Sequence, residues 1–112
     1  MSEKIFNELL RKIYLGAADI VGDNLKEAIL YGSYARGDFD DESDVDIALI
    51  LDTDRLEAKR YKARLVQLMS ELSLSNDILI CISCIPNNEF EQYKSVLPYY
   101  KNIDNEGVRL SA

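Results

Sequence analysis

Asp44 and Asp46 stand two residues apart at the head of an apolar run, VDIALIL. In a strand, that spacing puts both carboxylates on one face, with Cα atoms about 6.6 Å apart at roughly 3.3 Å per residue. Two carboxylates so placed repel each other, and a divalent cation between them reverses the sign of the interaction. Mg²⁺ suits such a pair, because it takes one or two carboxylates together with substrate phosphates. A lone Asp-x-Asp is more often a solvated strand entry. Here Asp77 opens a second apolar run, DILICIS. If the two runs are parallel neighbours, three carboxylates converge, enough for a two-metal centre with ions about 3.5–4 Å apart. Asp77 also fits a plain turn beside Asn76. Gly32-Ser33 closes a third run, EAILY. Glycine lets the backbone approach a phosphate, and the amides of the next turn with the Ser33 hydroxyl can hold its oxygens. The bland alternative is a strand-to-turn glycine.

Several chemistries are excluded. The chain has no histidine, which removes Ser-His-Asp, Cys-His and histidine-zinc centres. Gly32 and Gly37 have P-loop spacing, but Asp38-Phe39 follows in place of Lys-Ser/Thr, so that reading fails. The acidic stretch fails as a calcium loop, with no glycine at loop position 6 and no glutamate at position 12. Cys81-x-x-Cys84 looks like half a zinc or redox motif. Strand residues three apart face opposite sides, and no partner ligand exists, so both are read as buried core cysteines. Tyr31, Tyr34, Tyr93, Tyr99 and Tyr100 are read as core-edge aromatics, with a base-stacking surface as the alternative.

The elements that must position these groups fit one domain, 1–112. Ile5, Leu9, Ile13 and Ala17 recur at helical spacing, and Ser2 and Gly22 bracket a helix over 3–21. Glu27–Tyr31 and Val45–Leu51 read as strands, joined through a Gly32–Gly37 turn and an acidic loop. A helix over 55–73, capped by Thr53 or Asp54, carries the core stripe Leu56, Ala63, Leu65, Leu68, Met69 and Leu72. A strand Asp77–Ser83 follows, then a helix over 87–95, an interruption at Pro98, a short helix ending at Gly107, and an extended Val108–Leu110. A crossover helix between the second and third strands favours a parallel pair. The fold class is therefore α/β, more loosely α+β: a small mixed sheet with helices packed on it.

The charge is localised. Twenty acidic and 13 basic residues give −7. Asp38, Asp40, Asp41, Glu42, Asp44, Asp46, Asp52 and Asp54 lie in one stretch without a base, so that stretch alone carries −8 and the rest +1. This composition disfavours general nucleic-acid binding. No signal peptide or membrane-length apolar run is present, and the cysteine usage fits a cytoplasmic protein.

Gly32-Ser33-Tyr34-Ala35-Arg36-Gly37 together with Ser43-Asp44-Val45-Asp46-Ile47 resembles the minimal nucleotidyltransferases (MNT) of the DNA polymerase β superfamily. The tail resembles them too, in Phe90 to Tyr93, Leu97 to Ile103 and Glu106-Gly107. The resemblance implies the polymerase β-like nucleotidyltransferase fold over nearly the whole chain. It places Gly32, Ser33, Arg36 and Ser43 at the nucleotide, Arg36 either on phosphate or bracing the acidic loop. It makes Asp44, Asp46 and Asp77 catalytic metal ligands for two Mg²⁺ ions, Asp77 being the carboxylate that activates the acceptor hydroxyl. Polar Asn76 departs from the apolar residue usual before that third acid. ATP is then the substrate and AMP the group moved. By resemblance the chain is expected to lack the acceptor-binding domain of larger relatives, and a separate partner is expected to supply the acceptor. By resemblance that partner is a helical HEPN-type protein, with this chain as the antitoxin; a homo-oligomer is also compatible. The rival readings are a non-catalytic module that neutralises such a partner by contact, and a Mg²⁺-dependent phosphohydrolase.

Overall fold

Ser2 caps the first helix as its sequence implies: its hydroxyl accepts the Ile5 amide at 3.2 Å. In the computed structural model, which describes residues 1–111, this helix, α1, runs Glu3–Val21 and ends at Gly22. Leu9, Ile13, Ala17 and Val21 form its buried stripe at helical spacing. Then come β1 (Leu25–Tyr31), a one-turn helix α2 (Ser33–Arg36) and β2 (Val45–Leu51). β2 is buried along nearly its whole length, which suits its unbroken aliphatic sequence.

The expected helix over 55–73 is instead α3 (Arg55–Ala58), a 3₁₀ turn at Lys59–Tyr61, and α4 (Lys62–Asn76). Asp54 caps α3, accepting the Glu57 amide at 2.7 Å. The break turns Tyr61 inward. Its ring is buried and its hydroxyl accepts from Asn24 Nδ2 at 2.9 Å and from the Arg60 guanidinium at 2.8 Å. The core stripe shifts with it to Ala58, Tyr61 and Leu65, while Leu56 is 76% exposed and Ala63 is exposed. Leu68, Met69 and Leu72 are half-buried.

The third strand also differs from the expected Asp77–Ser83. Helix α4 continues to Asn76 and is closed by Asp77 in the left-handed region (φ 50°, ψ 46°), its amide bonding back to the Ser73 carbonyl. Aspartate tolerates that conformation better than most residues. β3 therefore spans Ile80–Pro86, and α5 (Asn87–Tyr93), α6 (Pro98–Glu106) and β4 (Val108–Arg109) follow. Pro98 begins α6 where its missing N–H costs nothing.

The sheet order is β3-β2-β1-β4, with β2 and β3 parallel and the other pairs antiparallel, a mixed sheet as expected. One face packs on α1 and α4, through Leu30, Val45, Ile47, Leu49 and Ile80. The other carries Ile29, Ala48, Ile50 and Ile85 against Phe90 of α5 and Ile103 of α6. No helix among the described residues is long and apolar enough to cross a membrane.

Gly107 joins α6 to β4 at close quarters: a Cβ there would overlap the Ile103 carbonyl oxygen and Ile29 Cγ2. Gly107→Ala should therefore destabilise by about 1–3 kcal/mol, the usual range for overpacking a filled core. Urea unfolding is the check. An unchanged midpoint would mean that the tail does not close against the sheet.

Candidate active site

β1 delivers Gly32 to the end of the sheet and β2 delivers Asp46 beside it, because Tyr31 and Asp46 are directly paired. Gly32 has φ 78° and ψ −157°, a conformation essentially confined to glycine. A Cβ on it would lie 2.6 Å from Asp46 Oδ2. The turn after β1 and the carboxylate thus abut, with room for backbone only. The α2 turn is closed by Ala35 and Arg36 amides on the Gly32 carbonyl, both at 3.1 Å, and by the Gly37 amide on Ser33 at 2.9 Å. The amides of Ser33 and Tyr34, in its first turn, have no carbonyl one turn back to bond.

Tyr34 fixes this turn. Its ring stacks on Phe6 of α1 (centroids 4.9 Å apart) and on Phe39 of the acidic loop (4.4 Å). That is the core-edge role for Tyr34. Arg36 braces the acidic loop and the tail: its Nε donates to Asp38 at 3.1 Å and its Nη1 to Glu106 at 3.4 Å. Both carboxylates hold its guanidinium above the usual arginine range. Ser43 is engaged in the loop: its hydroxyl accepts the Asp40 amide at 2.9 Å and donates to Asp40 Oδ1 at 3.2 Å. Asp40 Oδ1 also accepts the Glu42 amide at 2.9 Å, which gives one of the loop acids a turn-forming role.

Asp44 and Asp46 are both half-buried. Burial first, and then the Asp44 charge, push the Asp46 carboxyl above the usual aspartate value, with Arg36 pulling the other way. The expected convergence of three carboxylates is absent. Asp77 closes a helix three residues before β3 begins, and the ladder pairs Asp46 with Cys81. Directly paired strand residues share a face, so a thiol flanks the acid pair where a third acid was expected. Cys81 is raised by burial first, then by Asp44 and Asp46. Neither cysteine is a fully buried core residue: both are half-buried, Cys81 beside the acids and Cys84 against the α1–α4 side of the core. Among the described residues no three acidic, thiol or imidazole side chains are grouped to hold a metal.

Asp44 and Asp46 nevertheless fit one hard divalent cation. They are two oxygen donors, the Asp44 charge acting against ionisation of Asp46, beside a turn whose Gly32 presents no side chain to them. Sequence reasoning missed Cys81, which only the strand register identifies. Nor did the sequence reveal that the Tyr31 hydroxyl meets that of Tyr99 at 3.0 Å. Burial and this contact raise the Tyr31 phenol well above its ordinary value.

Residues 10–110 match the family of nucleotidyltransferase domains. Two proteins of Methanocaldococcus jannaschii, MJ0141 and MJ0604, each named as an inferred protein adenylyltransferase, are similar in sequence. The first is 37% identical over 73 residues, covering 65% of this chain and 72% of its own length. The second is 31% identical over 83 residues, covering 74% and 75%. Two crystal structures share the fold. A toxin-antitoxin with AMP-PNP superposes with a TM-score of 0.56 at 18% identity, covering 89% of this chain and 71% of that one. A mutant of the toxin-antitoxin MntA-HpeT gives 0.54 at 16%, covering 100% and 74%.

Proposed function

The chain belongs to the nucleotidyltransferase domain family, and from that premise we propose that it moves AMP from ATP to a hydroxyl of a partner protein. It is a nucleotidyltransferase enzyme by its family. The observation that carries the finer reading is the contact between Gly32 and Asp46, which sets a side-chain-free turn against a charged pair. In this reading the chain is one minimal domain, 1–112. Ser33 and the amides of its turn hold phosphate oxygens, Arg36 braces the acidic loop against the turn, and Ser43 holds the loop next to Asp44. Asp44 and Asp46 would hold Mg²⁺, which when bound neutralises the triphosphate and the departing pyrophosphate. The two acids keep their repulsion until that charge arrives, so they are preorganised for it. The acceptor oxygen forms its bond to the α-phosphorus as the bond to pyrophosphate breaks in line. Asp77 has no part in this scheme.

The partner is proposed to be a HEPN-type helical protein, with this chain as the antitoxin. Support comes from the two Methanocaldococcus jannaschii relatives named as inferred protein adenylyltransferases and from fold neighbours that are toxin-antitoxin proteins. One observation favours the second reading, neutralisation by contact alone: a thiol, not a third acid, flanks Asp46. Incubating the chain with ATP, Mg²⁺ and the product of its neighbouring gene separates the two. An AMP mass adduct on that protein, with pyrophosphate released, is the expected result. Silencing of the partner with no adduct would establish the contact reading, and phosphate in place of pyrophosphate would identify a hydrolase.

A further inference from the structure

β3 is the outer strand of the sheet. The Val45 amide bonds to the Leu79 carbonyl at 2.9 Å, which fixes the phase of the ladder: the backbone groups of Ile80, Ile82 and Cys84 point outward. Two of these outward amides are already taken. Ile80 donates to Ser73 Oγ at 3.1 Å and Ile82 to Met69 Sδ at 3.2 Å. Pro86 has no N–H to offer. The edge is blunted against adding another strand, so anything that binds here must do so through side chains.

Two grooves open on either side of this edge. One, of about 400 Å³, lies between β3 and the α3–α4 segment, floored by Val66, Met69, Ile82 and Cys84. The other, of about 380 Å³, lies between β3 and α6, lined by Ser83, Leu97, Tyr99 and Tyr100. Arg55 and Cys84 border both. Two residues of the second groove neighbour those beside the acid pair: Ser83 is two residues from Cys81 on the same face, and Tyr99 touches Tyr31, which is paired with Asp46.

The rim of the first groove is cationic. Arg55, Lys59 and Lys62 line it, and residues 55–64 hold five bases against Glu57, in a chain whose net charge is −7. Arg55 is committed to Glu89, with contacts of 2.7 and 2.6 Å. Among the described residues Lys59 and Lys62 enter no ion pair, and both are exposed.

We propose that this edge is where the acceptor protein docks, through an extended acidic segment with apolar side chains at alternate positions. Its carboxylates meet Lys59 and Lys62, its apolar groups fill the groove against Val66 and Ile82, and the chain beyond it passes Tyr99 toward Asp46. The inference rests on the reading that the acceptor is a protein. It goes further by assigning the surface and the chemistry of the segment.

The probe is a blocked peptide of alternating valine and glutamate, titrated into the ¹⁵N-labelled protein. A valine–lysine peptide and a ten-nucleotide oligouridylate serve as rivals. The glutamate peptide should shift the amides of Val66, Ile82 and Cys84. Its affinity should fall at least tenfold in Lys59→Glu/Lys62→Glu and stay unchanged in Lys4→Glu/Arg11→Glu, on the outer face of α1. AMP-PNP with Mg²⁺, read at Gly32 and Ser33, reports the nucleotide site separately. If those residues shift and the groove residues do not, docking is wrong and the nucleotide reading stands. Equal or tighter binding of the lysine peptide or the oligonucleotide would overturn the proposal. So would groove shifts on concentrating the protein alone, which would assign the surface to a second copy.

Discussion

Asp46→Asn should abolish nucleotide transfer and at the same time make the metal-free protein more stable. The first effect follows from losing one of two carboxylates proposed to hold the cation. Several kcal/mol of transition-state stabilisation depend on that charge, a fall on the order of 10²–10⁴-fold in rate. The second follows from the raised Asp46 carboxyl, caused by burial first and by Asp44 next. A group whose folded pKa is raised binds its proton more tightly in the folded state. Stability is then greatest below the unfolded value, near 4, and is lost as pH rises through the folded value. Asparagine removes that loss. Thermal melts in chelator at pH 4 and pH 7 should show the variant's advantage growing with pH. Saturating ATP and Mg²⁺ should reverse the order, because only the parent gains binding energy. A parent no less stable than the variant at pH 7 would mean that the two acids do not oppose each other.

Gly32→Ala should be nearly as damaging, by a different route. At φ 78° and ψ −157° an alanine is strained by about 1–3 kcal/mol. Its methyl would also lie 2.6 Å from Asp46 Oδ2 and must displace it. Both the phosphate approach and the carboxylate position change together, so loss of ATP binding and a lowered melting temperature are expected in one variant. Gly37→Ala is the comparison. Gly37 has φ 87° but open space around the missing Cβ, so its strain should lower stability while leaving ATP binding in place. Equal effects on binding from both changes would show that strain alone is responsible.

Much of this was legible in the sequence because it is encoded locally. Ser2, Gly22, Asp54 and Pro98 act at helix ends, where one residue's chemistry decides the outcome. The aliphatic run of β2 admits only a doubly covered strand. The juxtaposition of Gly32 and Asp46 was legible because both residues lie at the ends of strands of strong pattern. The failures share a cause: each required knowing what packs elsewhere. Tyr61 breaks its helix to reach Asn24, 37 residues earlier. Asp77 heads an apolar run and reads as strand entry, yet α4 extends to meet it and uses it as a helix stop. That delay of three residues sets the ladder so that Cys81, not an acid, faces Asp46. Aliphatic runs do not reveal register, and register decides which residue stands beside the acid pair.

The antiparallel pairing of β1 with β2 has a consequence for how the site is assembled. Gly32 and Asp46 are brought together by closing only the α2 turn and the acidic loop between adjacent strands. Cys81 and the β3 edge reach the same place only after a parallel crossover through α3 and α4. Loop-closure entropy rises with the length closed, and non-local parallel pairing is the slower kind. The proposed nucleotide half of the site thus belongs to a low-contact-order hairpin, and the half proposed to face the acceptor to a high-contact-order crossover. The proposed catalytic face is joined from two units of unequal folding difficulty, and the proposed docking edge lies on the harder one.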